Sequence, residues 1–416
     1  MTKAYQLHTE LLASRQKLLE QIFNAMSTMD QPMTPLLLVF WGSQGGGKTT
    51  FLKDAEKRLA SEPDVGIAGF WTIEDYKKNK FAELPGLILG AIQSQPAKRK
   101  VVILDNFEAL LEAVTGEDFF DFENKAILPL IERGDTLILA GSQNELNQWQ
   151  EYDVRFRQCN YHLAPLSLEE VKQMLDGSEF DPNVAYRLTF GQSQMLSLHM
   201  EEPQWTEEEI SHKAADYFLE DLEAAPREIA RIASLLPAFN IYILRKIRSD
   251  DQSEDEGLLS NYHDHVNELA RRGLIQYDAD LGAYRFTDDA VRRLLALNYR
   301  FSDPKQYDEA QKIAAEYFEE EAKGAAFLPR LIVSAVYHQA QANRKLSQAK
   351  RGDLCARWIR RMRNSWNGAN WDQVMSMWES SLSSNELKDE LVSLIGEKTF
   401  KKITKMFIGY QAEMEV

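Results

Sequence analysis

The chain has few cysteines: two in 416 residues, Cys159 and Cys355, neither in a C-x-x-C pair. That excludes a disulfide framework and a cysteine-based zinc site, and leaves two ordinary thiols of a reducing compartment as the expectation. No apolar run reaches the ~18 residues of a membrane helix. The opening stretch, Met1 to Gln16, is polar and has no signal-peptide core. The expected location is the cytoplasm, with no membrane contact. Positive charge is also short, with 48 Lys and Arg against 64 Asp and Glu and a net charge of −16. Such a chain lacks the general electrostatic footprint of a nucleic-acid binder, so expectation shifts toward protein partners. Seven histidines are scattered; His263 and His265 are two apart on one helix, hence on different faces and not a metal pair.

What is present is ample apolar material, 44% hydrophobic and 10% aromatic, enough for real cores. At about 150 residues per domain the length implies two or three domains. Residues 3–28 carry leucines, isoleucine and phenylalanine at helical spacing, and the two prolines of Asp30–Pro35 end that helix. Leu36–Trp41 is a continuous apolar run of strand length, as in a parallel sheet buried on both faces. A helix is expected from Lys48 to about Ala60, a strand over Gly66–Ile73, a helix over Leu84–Gln93, and a basic connector at Ala97–Lys100. Then come strand Val101–Asp105, helix Phe119–Glu132, and strands Thr136–Ala140 and Asn160–Leu163. Alternating strands and helices imply a doubly wound α/β layer to about residue 166.

Beyond it, strands nearly vanish. Ser167 with Glu170 reads as a capping box opening a helix to Leu175, and helices continue through 247. Asp250–Glu256 is an acidic loop. A helix ending at Arg271-Arg272-Gly273 leads into Leu274–Tyr277, a turn at Asp278–Gly282, Ala283–Phe286 and a helix over Asp288–Asn298, the pattern of a winged helix. Residues 303–416 read as all helical, with Trp358, Trp366, Trp371 and Trp378 as packing groups.

Gly42-Ser43-Gln44-Gly45-Gly46-Gly47-Lys48-Thr49 fits G-x-x-x-x-G-K-[ST], with Thr50 following. Glycines let main-chain N–H groups turn toward a phosphate, the helix start adds partial positive charge, Lys48 reaches the β- and γ-phosphates, and the Thr49 hydroxyl ligates Mg²⁺. The expected ligand is ATP or ADP with Mg²⁺. A bare glycine-rich turn is the alternative, but the match lies between a buried strand and a helix, as the motif requires. In Val101-Val102-Ile103-Leu104-Asp105-Asn106-Phe107-Glu108 an acid closes a buried strand at its carboxyl edge, where ligands of such sheets sit. Asp105 would hold Mg²⁺ through a water and Glu108 would polarise the attacking water; alternatively Glu108 is a solvated acid at a helix start. Ser142 or Gln143, after the next strand, is a candidate γ-phosphate sensor or a helix cap. Arg155 and Arg157 precede the last strand, either as an arginine finger for a neighbouring copy or as a solvated pair.

Together these residues resemble the STAND class of signal-transduction ATPases, relatives of the AAA+ proteins that include the NACHT and NB-ARC modules. Leu104–Leu110 looks like the NACHT pattern of Asp, small, apolar, acid. Tyr161–Glu170 resembles the passage into a helical lid, and Leu188–Ser193 that lid's glycine-x-proline passage. The resemblance covers roughly residues 34–300 and implies a P-loop NTPase sheet at 34–166, following the helical segment read at 1–33. A helical lid at 167–227, a winged helix at 228–300 and an α-helical region at 301–416 would follow. It further implies a slowly hydrolysing switch that oligomerises with ATP and regulates a protein partner or effector in a separate chain. Three departures stand out: Ser193 in place of the lid proline, Gln143 in place of a sensor arginine, and Thr287 in place of an ADP-gripping histidine.

Two alternatives stay open: a DNA-handling AAA+ ATPase with a winged helix, and a nucleotide-binding scaffold with little hydrolysis. Arg271, Arg272, Arg285, Arg292 and Arg293 cluster near the wing, and Arg344–Arg363 is rich in Lys and Arg around Trp358. Asp278, Asp280, Asp288 and Asp289 cancel much of the wing's charge, so nucleic acid is possible but not favoured. No protease, nuclease or TIR-like pattern marks an effector within the chain.

Overall fold

A computed structural model describes residues 12–27, 36–76, 81–109, 116–141, 149–248, 256–279, 282–324, 329–363 and 385–414. Ser142, Gln143, Trp366, Trp371, Trp378 and most of the acidic loop fall outside them. The chain divides into two compact units, Met1–Ala214 with Ala270–Gln276, and Ala215–Leu269 with Tyr277–Val416. These units cut across the segments read from the sequence: the first boundary falls inside 167–227, and Ala270–Gln276 is taken out of 228–300.

The first unit is built on a five-stranded parallel sheet: β1 (Leu37–Trp41), β2 (Val65–Thr72), β3 (Arg99–Asp105), β4 (Thr136–Gly141) and β5 (Gln158–His162), in the order β2-β3-β4-β1-β5. Leu37 pairs with Leu137 on one side and Gln158 on the other. The strand order reverses at β1. The chain leaves it for the far edge, returns strand by strand to β4, and crosses over to β5. Such a reversal opens a crevice at the carboxyl ends of the strands.

Helices cover both faces, and alternate side chains divide between two cores. Leu37, Val39, Val102, Leu104, Leu137 and Leu139 pack with α3 (Leu84–Ser94), α4 (Gly116–Phe122) and α5 (Leu128–Arg133). Leu38, Phe40, Val101, Ile103, Ile138 and Ala140 pack with Phe51, Leu52, Ala55 and Leu59 of α2 (Lys48–Leu59). This is why β1, β3 and β4 read as unbroken apolar runs instead of alternating ones. Leu19 and Ile22 of α1 (Ala13–Ser27) join the second core, 1% and 0% exposed. Burying each contributes roughly 1.5–3 kcal/mol, enough to dock α1 on the sheet.

Several boundaries differ from the sequence reading. β3 begins at Arg99, inside the expected connector, because the first two side chains of the strand are only half-buried and tolerate charge. The helix expected over Phe119–Glu132 is α4 and α5 joined by a π-helical turn, Glu123–Ile127. The five-residue α6 (Tyr152–Phe156) precedes β5 and was not anticipated, being too short to show a period.

After β5 the chain enters helices. The capping box is present: Ser167 Oγ accepts from the Glu170 N–H, and the Glu170 carboxylate accepts from the Ser167 N–H at the start of α7 (Leu168–Met174). α8 (Pro182–Thr189) and α9 (Ser193–Glu201) complete a small core of Leu166, Val171, Leu175, Ala185 and Leu196, against which Leu12 packs. α10 (Glu207–Leu219) follows.

The second unit contains α11 (Ala224–Ser234), α12 (Ile241–Ile247) and most of α13 (Glu256–Arg271). The hairpin of β6 (Ile275–Asp278) and β7 (Ala283–Phe286) follows, then α14 (Asp289–Ser302), capped by Asp288 through the N–H groups of Ala290 and Val291. Phe239 adds a bridge to Tyr284, a third short strand position that the sequence did not show. Then come α15 (Pro304–Gly324), α16 (Pro329–Ala342), α17 (Gln348–Arg363), α18 (Asn385–Ile395) and α19 (Glu397–Met414).

Several of the arginines read as basic patches are paired with carboxylates inside this unit. Arg292 is 1% exposed and bonds Asp289, Glu390 and the Ser234 carbonyl. Arg285 pairs with Asp278, Arg344 with Asp308, and Arg361 with Glu319. The reading of Arg292 as part of a basic surface is therefore corrected: its charge is buried and answered by two carboxylates. Tyr337 donates to Glu390 beside it, and burial with the nearby Arg292 pushes His338 down to about 3, so it stays neutral.

Candidate functional site

The glycine-rich stretch runs from the end of β1 into α2 at the carboxyl edge of the sheet. Gly45 and Gly47 have φ of 68° and 84°, where a side chain is strained, and a Cβ on Gly42 would stand 2.8 Å from the Leu163 carbonyl oxygen. The loop is pinned by Gly46 N–H donating to Ser43 O and by Gly42 N–H donating to Gly141 O. Gly47 gives α2 no side-chain cap, so the first turn presents its N–H groups as an anion site. Glycines and bare helix start thus fit a triphosphate tail.

Lys48 is 8% exposed; its Nζ donates to the carbonyls of Gly42 and Ser43 at 3.0 and 2.9 Å. The same Nζ stands 3.9 Å from Glu108 Oε1. The two stretches singled out from the sequence therefore meet in space. Thr49 and Thr50 are exposed on the first turn of α2, Ser43 is buried in the loop, and Gln44 is exposed.

Asp105 closes β3, 3% exposed, opposite Thr72 of β2. Asn106 follows with φ of 57°, in the left-handed region that Asn tolerates better than most residues, and donates its N–H to Asp105 Oδ1. Phe107 N–H donates to Ala140 O. This sharp exit positions Glu108 at Lys48. Asn106 is a residue that the sequence reading passed over, although an Asn directly after a strand-ending Asp is a turn signal.

Among the described residues no group of three or more His, Cys, Asp or Glu is arranged to hold a metal ion. One carboxylate and one hydroxyl nevertheless suit Mg²⁺, which takes phosphate oxygens and waters for its remaining positions. Thr49 and Asp105 have that chemistry at the same edge of the sheet.

Arg155 lies in α6 and Arg157 follows it, donating its N–H to Asp153 and Val154 carbonyls. Arg155 is exposed and bonds the Gln150 carbonyl. The segment is fixed from beneath by Glu123, fully buried in the π turn, whose two oxygens accept from the N–H groups of Gln150 and Glu151. Glu123 looked like an ordinary helix acid in the sequence. Tyr152 and Phe156, stacked and 67% and 44% exposed, flank Arg155.

The segment read as the lid touches the loop directly. Gln192 Nε2 donates to Gln44 O and Gln194 N–H donates to Gly45 O, both at 3.1 Å. Gly191 precedes them with φ of 77°, and a Cβ there would fall 1.9 Å from Leu166 O. On its other side this segment is held by α1: the Ser14 N–H and hydroxyl donate to Glu170, and Arg15 donates to the Ala164 carbonyl.

No helix among the described residues is long and apolar enough to cross a membrane. No model of a known protein family matches the chain, and no curated protein matches it. Solved structures do. The Aeropyrum pernix ORC2 protein, in ADPNP–ADP complexes, is 15% identical over 73% of this chain and 97% of its own, with a TM-score of 0.40. A Walker-type ATPase of Pyrococcus abyssi is 14% identical over 68% and 95%, with a TM-score of 0.45. The Aeropyrum pernix ORC1 protein in complex with DNA is 13% identical over 71% and 93%, with a TM-score of 0.36. At such identity and overlap the likeness carries no argument about this chain; what the chain possesses in its own right is a P-loop set on a five-stranded parallel α/β sheet and followed by helices.

Proposed function

We propose that this protein is a Mg²⁺-dependent ATPase of slow turnover whose nucleotide state is passed to its helical lid. The observation that carries the reading is the meeting of Lys48 with Glu108 at the mouth of a glycine loop. Loop N–H groups and Lys48 would bind and orient the triphosphate; Thr49 and Asp105 would hold Mg²⁺, which neutralises phosphate charge when bound. Glu108 would hold the attacking water and draw on its proton. The contacts of Gln192 and Gln194 with the loop support the coupling to the lid. The test is a calorimetric titration with Mg-ATP and a phosphate-release assay on the purified protein. Absence of both binding and release sinks the proposal.

What the ATPase acts on divides into two readings. The STAND-like reading is a switch that oligomerises and regulates a separate protein. The second is a DNA-handling AAA+ ATPase; the Aeropyrum pernix ORC1 protein above is in complex with DNA, though the likeness is too slight to carry the reading. Against the wing as a DNA reader stands the commitment of Arg285 and Arg292 to carboxylates. Salt-sensitive DNA binding would favour the second reading; ATP-dependent growth in size without DNA would favour the first.

A further inference from the structure

Gln192 sits with its two side-chain polar atoms turned to two different jobs. It is 1% exposed. Its Oε1 accepts from the Met195 N–H at 2.8 Å and caps α9, while its Nε2 donates to the Gln44 carbonyl of the phosphate loop at 3.1 Å. The next residue but one, Gln194, donates its N–H to the Gly45 carbonyl. Ser193, between them, lies with its hydroxyl 3.7 Å from where a Cβ on Gly47 would stand.

Two features make this more than a helix cap. Glutamine is not a favoured N-cap; Ser, Thr, Asp and Asn serve better. A shorter side chain would cap α9 without spanning to Gln44, whereas a long amide offers an acceptor to one partner and a donor to the other. Moreover, the C=O and N–H of a trans peptide point in opposite directions. Bonds that draw the carbonyls of Gln44 and Gly45 toward the lid turn the N–H groups of Gly45 and Gly46 away from it. The Gly46 N–H is then used within the loop, by Ser43 O.

We propose that Gln192 is a positioning residue for nucleotide binding: it braces the Gln44–Gly45 peptides from the lid side, setting the loop before a triphosphate arrives. Setting donors in advance removes reorganisation from the binding step. The brace rests on the ATP-binding reading above. It also makes the lid a part of the phosphate site, so that moving the lid loosens the loop.

Two variants separate the brace from the cap. Gln192→Glu keeps the length and the capping oxygen and loses the donor. Gln192→Met keeps the length, adds no charge and loses both. Mg-ATP and Mg-ADP affinities are read by calorimetry, KM and kcat by phosphate release, and folding by thermal melting. Both variants are expected to weaken binding by roughly 3–10-fold, the size of one neutral hydrogen bond. KM rises in step while kcat stays within about twofold. A third variant, Gln192→Ser, is short and uncharged, so it caps α9 without reaching Gln44 and is expected to melt near the wild type while losing affinity as the others do. Should the Met variant fail to fold, the loss in the Ser variant assigns the effect to the missing donor and not to added charge. Wild-type affinity in the variants overturns the brace, as does a loss confined to the Glu variant. A fall in kcat with unchanged KM does so too. A wild-type protein that binds no Mg-ATP instead removes the nucleotide reading itself.

Discussion

The ammonium of Lys48 lies 3.9 Å from the carboxylate of Glu108, at the same time bonded to the Gly42 and Ser43 carbonyls. A cation held only by acceptors in a nearly closed site is poised for a polyanion, which offers it stronger, charge-assisted partners. Lys48→Ala should therefore abolish measurable Mg-ATP binding, with a loss of at least ~100-fold for a charge-assisted contact in a dry site. Calorimetry checks it, and an unchanged affinity would refute the assignment of the loop.

Asp105 and Glu108 should separate binding from chemistry. Glu108→Gln keeps the shape and removes the base, so turnover should fall by roughly 10²–10³ while ATP affinity stays within a few-fold. Asp105→Asn should likewise lower hydrolysis more than binding and raise the Mg²⁺ concentration needed for half-maximal rate. Wild-type turnover in either variant, measured by phosphate release under saturating ATP, would remove that residue from the mechanism.

Glu170 makes the hold of α1 on α7 acid-sensitive. Burial pushes its carboxyl up, but hydrogen bonds from Ser14 and Ser167 outweigh this and hold it below the ordinary value of 4.5. A depressed folded value means stabilisation that is complete above the unfolded value and lost as pH falls through the folded one. Hydrogen exchange at residues 12–20 should thus quicken, beyond its intrinsic pH dependence, as pH falls below the ordinary carboxylate value of 4.5. Glu170→Gln should show the quicker exchange already at neutral pH. Equal protection in both proteins across that range would disprove the linkage.

Arg292 anchors the second unit. Its guanidinium is held charged by Asp289 and Glu390 against the pull of burial. Removing one partner of a buried ion network costs about 3–5 kcal/mol, because the remaining charges are left unanswered. Arg292→Met should lower unfolding stability by that amount in urea denaturation, and adding Glu390→Gln should recover part of it. A single variant as stable as the wild type would show that the network is incidental.

The parallel sheet was legible in the sequence because strands buried on both faces leave a plain mark. Leu36–Trp41 and Val101–Asp105 are apolar at every step, and the alternation of strands with helices implies the rest. The phosphate loop was legible because its chemistry restricts residue type at fixed spacing. What stayed hidden depends on partners far along the chain. Gln192 meets Gln44 148 residues away, and Arg292 meets Glu390 98 residues away, so neither a lid brace nor a buried cation shows in local pattern. An arginine on a helix beside a hairpin reads as a solvated charge until its carboxylates are found. Glu123 escaped for the same reason, since its two acceptors serve a backbone 27 and 28 residues on.

Strand β1, which carries the phosphate loop, is flanked by β4 and β5, so Leu37 finds its neighbours at Leu137 and Gln158. A ribosome completes the loop more than a hundred residues before both of its flanking rails have emerged. During synthesis, then, the glycine stretch has neither flanking strand in full until His162 has been made, so the loop shape described above belongs only to a chain extended at least that far.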